Sequence, residues 1–375
     1  MKVNVLSEKV ICNNRNSVNN YFAWPSVARL KNGRLAMTCS GFRTWHVCPF
    51  GKGIISFSEN EGETWSLPAV VMDTHLDDRD TGICAFGESG VAVTSFTTSI
   101  DVLRKNLGTR AKEFHAYSAA YLDLAGKNPE AEKYHGSTFR MSYDNGVTFG
   151  DVMNIPVSCP HGPVELPDGN MLYVGTEFIP GTSMSRHAAA YKLYQDGTWE
   201  KLGDIPDTPD ATANDEPHTI ALKSGKIVTL IRKQGGDRMT LFQSESTDGG
   251  RTWTMPHSIG LGHRSGAPAH LIEKDGLLIA VYGHRVEGEY QVRAAFSGDE
   301  GETWEGDHIL TNLADRDADF GYPASVVRKD GSILTVYYAA DDEAKSGRVL
   351  FEIGEAAFDI PVTVIRQVIW KIEEE

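Results

Sequence analysis

Ser297–Trp304 reads SGDEGETW: three carboxylates and two glycines ahead of a tryptophan. Such a stretch suits a calcium loop, a pair of catalytic acids, or a tight turn. Recurrence decides among them. Ser58–Trp65 reads SENEGETW, Ser142–Phe149 reads SYDNGVTF and Ser246–Trp253 reads STDGGRTW, while Tyr194–Trp199, YQDGTW, is a decayed fifth copy. The shared pattern is S-x-[DN]-x-G-x-T-[WF]. An EF-hand type of loop needs oxygen ligands at alternate positions and a bidentate glutamate further on, a series that no copy carries. Catalytic acids do not recur at equivalent places in every repeat. A turn does: Asp or Asn bonds nearby N–H groups, Gly takes positive φ, and the aromatic ring folds back onto the strands.

A second repeat runs beside the first. KNGRLAMTCS (31–40), ESGVAVTSF (88–96), PDGNMLYVG (167–175), KSGKIVTLIR (223–232), KDGLLIAVYG (274–283) and KDGSILTVYY (329–338) each place a glycine turn before an apolar run. A tight turn feeding β-branched residues is a hairpin entering a buried strand. Most copies stand about fifty to sixty residues apart, the length of one four-stranded unit. The pattern predicts an all-β, six-bladed β-propeller, one domain over 1–375. The longer gap between Gly90 and Gly169 holds a stretch at about 100–135 that lacks alternation and carries helix formers, so an insertion is expected there. The N-terminal strand, at about residues 2–11, is expected to complete the last blade with C-terminal strands near 347–372.

Bulk properties narrow the function. Of 375 residues, 36 are Lys or Arg and 51 Asp or Glu, a formal charge of -15. So acidic a surface repels nucleic acid and anionic membranes, and neither is expected as a partner. A local arginine cluster can still hold an anionic small substrate. The five cysteines form no CxxC pair, and the N-terminus has no apolar leader core, so the expectation is a cytoplasmic chain without a disulfide framework. No nucleotide fingerprint, phosphate loop or GxSxG elbow is present, and no cofactor is expected.

A propeller binds ligands at one end of its axis, on loops that flank the inner strands. The polar segments just before the apolar runs include Tyr21–Pro25, Gly41–His46, Asp77–Asp80, Cys159–Pro163, Asp215–His218, Arg264–His270 and Phe320–Pro323. They hold comparable positions in successive repeats, and their convergence would make one pocket. His46, His161 and His218 stand at one axial level. They lack the HxH or HExxH spacing of a zinc enzyme, so no metal is expected.

The octet resembles the Asp-box, or BNR repeat, of the sialidase superfamily, and the resemblance spans nearly the whole chain. It implies a glycoside hydrolase in which a tyrosine nucleophile is paired with a glutamate, an aspartate serves as acid/base and three arginines grip the substrate carboxylate. Glu216 and, one strand later, Arg232 match the glutamate and an arginine. Tyr322 matches the tyrosine, and Arg285 is the candidate third arginine. Arg293, inside the strand before an octet, reads as structural. A phenol needs a base to become a nucleophile near neutral pH, which Glu216 would supply.

Two departures stand out. Where family members carry Phe/Tyr-Arg-Ile-Pro, this chain reads Phe22-Ala23-Trp24-Pro25, with alanine in place of the first arginine. The segment expected to hold the acid/base aspartate, GFRTWHVCPFGKG, contains none. His46 is the candidate acid there, with Asp78 and Asp80 of the next repeat as competitors. Arg79 or Arg43 would compensate for the missing arginine, and His161 and His218 would line the substrate pocket. The favoured expectation is an exo-acting hydrolase of a terminal acidic sugar, sialic acid or a relative. A propeller lyase on uronate-containing glycans and a non-catalytic carbohydrate-binding propeller are the alternatives.

Overall fold

Turn chemistry explains the architecture. In all four octets the serine Oγ accepts the glycine N–H, at 2.9 Å from Gly62, Gly146 and Gly250 and 2.8 Å from Gly301. The Asp or Asn oxygen then accepts the threonine N–H at 2.9 Å, as in Thr252 to Asp248. The octet is therefore a hairpin device that satisfies its own backbone. It also joins sheets. Trp65 Nε1 donates to Gln367 at 2.8 Å and Trp304 Nε1 to Gln243 at 2.7 Å, while each glutamine amide returns a bond to the octet glycine carbonyl, Gly62 or Gly301. Without the leading serine, the decayed copy keeps only the Asp196–Thr198 bonds, and Trp199 is left 43% exposed.

Residues 1–107, 116–178, 187–209, 213–234, 241–261, 268–313, 319–341, 348–353 and 356–373 are described by the structure, a computed structural model. The described strands form antiparallel meanders in chain order. The first runs through Tyr21–Arg29, Leu35–Arg43, Lys52–Ser58 and Ala69–Met72, and the second through Arg79–Phe86, Gly90–Thr97, Gly136–Ser142 and Met153–Ile155. The third is built on Met171–Glu177, Ala188–Leu193 and Trp199–Asp204, with the short segments Val157–Ser158 and Val164–Glu165 both pairing to its leading long strand. Ala213–Ala221 to His257–Ser258 and His270–Lys274 to Glu305–Asn312 follow. The last meander takes Gly321–Val327, Ile333–Ala340 and Thr363–Glu373. Its outer strand is the N-terminal Lys2–Cys12, which pairs from Lys2 with Glu373 to Cys12 with Ile365, the closure anticipated from sequence. Arg348–Ile353 and Ala356–Pro361 instead form a separate two-stranded hairpin, so only the final strand of the expected 347–372 region completes the sheet.

Apolar packing follows the same order. Leu30, Ile55, Ile83 and Val93 join the first meander to the second. Phe86, Phe139, Tyr173 and Tyr191 join the second to the third, and Leu172, Val174, Ile227 and Ile231 the third to the fourth. Leu230 with Leu271, then Ile279 with Tyr337 and Trp370, continue the series. Ala23 and Cys39 pack with Leu334 and Ile365, bringing the last meander against the first. The result is an all-β fold consistent with a propeller. The two helices among the described residues, Ile100–Leu107 and Ala116–Ala125, occupy the predicted insertion, whose residues 108–115 lie outside the described set. No described helix is long and apolar enough to cross a membrane.

Replacing Ser246 by alanine leaves the buried Gly250 N–H without its acceptor. A loss of about 1–3 kcal/mol in unfolding free energy, read by denaturant titration, is the expected outcome.

Candidate active site

Four of the meanders begin with the same irregularity. Ala23 pairs with Ser40 and Ser26 with Thr38, so Trp24 and Pro25 face the single residue Cys39. The same two-against-one bulge sets Asp80 and Thr81 against Ser95, Glu216 and Pro217 against Ile231, and Tyr322 and Pro323 against Tyr337. The first bulged residue is left-handed each time, with φ of 54° at Trp24, 48° at Asp80, 47° at Glu216 and 48° at Tyr322. Bulky residues pay about 1–3 kcal/mol for that conformation, and it persists where surrounding structure enforces it. Bulges re-aim side chains. From this end each leading strand runs to its glycine hairpin, and in the first, second and fourth meanders the third strand runs on to an octet, so those octet turns lie at the opposite end.

The bulged residues converge. Tyr322 donates its hydroxyl to Glu216 Oε1 at 2.6 Å, and Arg232 Nη1 lies 2.5 Å from Glu216 Oε2 and 3.0 Å from the Tyr322 oxygen. All three side chains are buried. Burial first, then the Glu216 charge, holds the phenol well above its ordinary range, against the pull of Arg232. Burial disfavours the charged Arg232, but the adjacent Glu216 outweighs it and holds the guanidinium protonated. The phenol thus keeps its proton and directs it at a carboxylate, the ground state of an activatable nucleophile. Asp80 is buried beside them with Oδ1 lacking a partner. Burial, opposed by Arg79 and helped by Glu216, pushes its carboxyl up to about 7.

Trp24 fills the first bulge. Its ring stands edge-on to Tyr322 at 6.5 Å and to His46 at 5.0 Å, with the Arg79 guanidinium 4.5 Å away and that of Arg43 4.9 Å away. Ala23, in the position of the family arginine, is buried in the apolar core. Arg79 reaches His46, its Nη2 lying 3.3 Å from Nε2, and its Nε is buried without a partner. Arg285 stands 5.7 Å from the Tyr322 ring, with Nε on the Phe320 carbonyl at 2.9 Å and Nη2 on the Tyr338 hydroxyl at 3.2 Å. Arg232 and Arg285 therefore lie against Tyr322, and Arg79 against the neighbouring Trp24.

His46 Nδ1 lies 3.1 Å from Asp319 Oδ2 and 3.2 Å from the Tyr21 hydroxyl, which itself donates to that carboxylate. Burial lowers the imidazole below its usual value; Asp319 opposes this and Arg79 adds to it. Although burial works against its charge, Asp319 is held well below the usual carboxylate range by hydrogen bonds from His46, Tyr21 and Tyr338.

The remaining candidates serve elsewhere. Arg43 is fully buried with both terminal nitrogens on Asp77, and its Nη2 also holds the His46 carbonyl at 2.7 Å. It braces the loop that carries His46 and does not offer itself to a ligand. Asp78 accepts the Thr74 N–H at 2.9 Å and its hydroxyl at 2.8 Å, closing a turn. His161 and His218 are drawn to each other and to His270, with ring centroids 4.1–5.3 Å apart. Backbone N–H groups of Leu271 and Ser325 donate to Nδ1 of His218 and His270, and both His161 nitrogens lack partners. Among the described residues, no hydrogen bond or ring contact joins this trio to Tyr322 or Glu216. Arg293, on Gln291 and Asp307, is structural as expected. Arg264 lies outside the described residues.

The BNR repeat-like domain model matches residues 121–335. The chain belongs to the BNR repeat-like family. Its structure is similar to a protein of unknown function from Dyadobacter fermentans, with a TM-score of 0.72, 18% identity and 99% of both chains covered. It is similar to the NanB sialidase of Streptococcus pneumoniae, with a TM-score of 0.68 and 13% identity over 97% of this chain and 70% of that one. The intramolecular trans-sialidase of Ruminococcus gnavus matches with a TM-score of 0.63 and 12% identity, over 94% of this chain and 95% of that one. The fold is sialidase-like, and identities this low carry the fold alone. No curated protein sequence matches the chain.

Within this BNR repeat-like chain, sequence reading missed Trp24, Asp319, Tyr21 and Tyr338. A signal for Trp24 existed: Trp24-Pro25, Glu216-Pro217 and Tyr322-Pro323 set a bulky residue before proline at equivalent places. Asp319, one acid among several in ADRDADF, had none. Among the described residues one cluster has metal-ligand spacing, Glu177, His187 and Asp204, but Lys201 sits between its carboxylates at 2.8 Å and 2.5 Å and supplies the cation.

Two sets of buried groups give opposite pH dependences. Burial lowers His161, His218 and His270, the last to about 3. Below about pH 6.5 the unfolded chain protonates these rings and the folded chain does not, so stability falls as pH falls. Asp78, Asp80 and Asp215 are pushed up to about 7, chiefly by burial. Between about pH 4 and 7 the folded chain holds protons that the unfolded chain has released, so stability falls as pH rises. Asp78→Asn removes one opposing group. Its melting temperature is expected to drop more steeply than that of the wild type between pH 7 and 5.

Proposed function

We propose that the chain is a single-domain, six-bladed propeller that acts as an exo-glycoside hydrolase on a terminal acidic sugar. The observation that carries this reading is the Tyr322–Glu216–Arg232 set, a buried phenol hydrogen-bonded to a carboxylate beside a guanidinium. The core series from the first meander round to the last supports a closed ring. In the reaction, Glu216 takes the Tyr322 proton as the phenol oxygen bonds to the anomeric carbon. His46, protonated, gives its proton to the departing glycosidic oxygen. Water, deprotonated by the same imidazole, then displaces the tyrosine oxygen, and the proton on Glu216 returns to it. A neutral nucleophile avoids setting a carboxylate against an anionic sugar, and sialidases depart from the two-carboxylate rule for this class of reaction. Arg79, Arg232 and Arg285 would hold the substrate's anionic group. Asp80, held partly protonated near neutral pH, can donate a hydrogen bond to a sugar oxygen where a charged carboxylate would repel the substrate.

One observation favours a second reading. His46, lowered by burial, is an unprotonated imidazole near neutral pH, which suits a base. Paired with a tyrosine and arginines, that is the equipment of a lyase on uronate-containing glycans. The substrate screen distinguishes them: the lyase produces an unsaturated product absorbing in the ultraviolet, and the hydrolase does not.

With sialyl and other acidic aryl glycosides as substrates, Tyr322→Phe and Glu216→Gln are each expected to lower kcat by roughly 10³-fold or more in a folded protein, and Glu216→Gln also to lower the melting temperature, because it leaves the buried Arg232 without its carboxylate. Near-normal rates in both would overturn the mechanism. Hydrolysis driven by His46 as acid rises as pH falls toward its lowered pKa, so kcat/KM is expected to be higher at pH 5.5 than at pH 7.5.

A further inference from the structure

The hydrogen-bond directions around His46 can be worked out from donors and acceptors alone. Arg79 has no acceptor, so its Nη2–H must point at His46 Nε2, which therefore carries a lone pair. Tyr21 has given its hydroxyl hydrogen to Asp319 Oδ2, at 2.5 Å, and a carboxylate only accepts. His46 Nδ1 must then be the donor, to Asp319 Oδ2 at 3.1 Å and toward the Tyr21 oxygen at 3.2 Å. The neutral ring is the Nδ1–H tautomer. On the other side of the carboxylate, Tyr338 donates to Asp319 Oδ1 at 2.7 Å and receives Arg285 Nη2 at 3.2 Å. One chain of hydrogen bonds thus runs from Arg79 through His46, Asp319 and Tyr338 to Arg285.

We propose that Asp319 is the positioning residue for proton transfer by His46, fixing the Nδ1–H tautomer so that Nε2 alone gives and takes the proton. The inference rests on the hydrolase reading for its chemistry and deepens it. Among the described residues, four charged or titratable groups surround the ring: Asp319 and Tyr21 at Nδ1, Arg79 at Nε2, and Arg43 at the His46 carbonyl. Only Asp319 among them stabilises the imidazolium. Arg79 blocks the proton's site until it turns away, and an anionic substrate group that draws its guanidinium exposes Nε2 to the leaving oxygen. Substrate charge and proton delivery are coupled through one arginine. The half-exposed His46 side chain, 41% accessible, can reach such a ligand without opening the core.

Two measurements test the proposal. The first is a nitrogen NMR titration of His46 in the whole protein, with and without Asp319→Asn. The wild type is expected to show the Nδ1–H tautomer, and the variant a lower pKa and a mixed or Nε2–H tautomer. An Nε2–H ring in the wild type overturns the proposal, whether or not any glycoside is cleaved and whether or not the variant folds. The second is leaving-group dependence. Asp319→Asn is expected to lower kcat/KM at least 100-fold for an unactivated acidic disaccharide and less than about 5-fold for the 4-nitrophenyl glycoside. Its pH profile should move toward acid, and adding His46→Asn should cost nothing further on the unactivated substrate. Equal losses on both leaving groups would overturn it, as would an unmoved profile. A wild type that cleaves nothing but shows the expected tautomer refutes the hydrolase reading and leaves the positioning role standing.

Discussion

The two-against-one bulge at the head of the leading strands is the constraint on which the site depends. A regular strand would alternate its side chains between the two faces of its own sheet. The inserted residue breaks that alternation and places Trp24, Asp80, Glu216 and Tyr322 in left-handed backbone, where none of the four is at ease. About 1–3 kcal/mol of local strain at each is borne by the ladders on either side. Proline follows three of the four, giving up an N–H that the bulge leaves outside the ladder. The scaffold thus supplies rigidity at the octet end and spends stability at the site end. The Trp–Gln clasps Trp65–Gln367 and Trp304–Gln243 are an anchoring counterpart, tying neighbouring meanders at the octet end.

Local patterns were legible in sequence and long-range pairings were not. SGDEGETW and its relatives specify their own hydrogen bonds within eight residues, so the turn could be read without knowledge of the fold. Strand pairing to a glycine hairpin is equally local. Glu216 and Arg232 are partners across one hairpin, and Tyr322 followed from resemblance to a family motif. Asp319 escaped because its meaning comes from Tyr21 and His46, almost three hundred residues away. Arg43 was misjudged for the same reason: Asp77, its buried partner, stands in a different strand connection, and sequence distance conceals the pairing. Asp77-Asp78-Arg79-Asp80 shows the difficulty in one run. Four neighbours face four environments, an ion pair, a turn, a tryptophan face and the site itself, and nothing in DDRD distinguishes them.

The histidines teach a related lesson. His161, His218 and His46 read alike in sequence, yet His218 lies within the strand Ala213–Ala221 and burial separates the first two from His46. The first two lie in a sealed trio with His270, neutral because no counter-charge accompanies them inside. His46 remains at the mouth, between a carboxylate and a guanidinium. Position in a repeat predicts the end of the fold at which a residue sits; solvent and charge then determine what it can do there.

The alanine at position 23 acquires a physical meaning from this geometry. Its side chain packs against Cys39 and Leu334 in the core between the first and last meanders, and an arginine there would place a charge in an apolar cluster unless the strand were re-aimed. The bulged position belongs to Trp24, whose ring carries the guanidinium groups of Arg43 and Arg79 4.9 Å and 4.5 Å from its centre. A tryptophan face attracts a cation without neutralising it. Arg43 has its charge satisfied by Asp77, whereas among the described residues Arg79 has no carboxylate of comparable closeness and leans on the ring and on His46. A positive charge therefore stands at this end of the fold on Arg79, one repeat along the chain from Ala23 and in contact with His46. In the proposed reaction an anionic sugar would still be held, but by an arginine whose movement would also control the imidazole, so that binding and proton transfer would become one event.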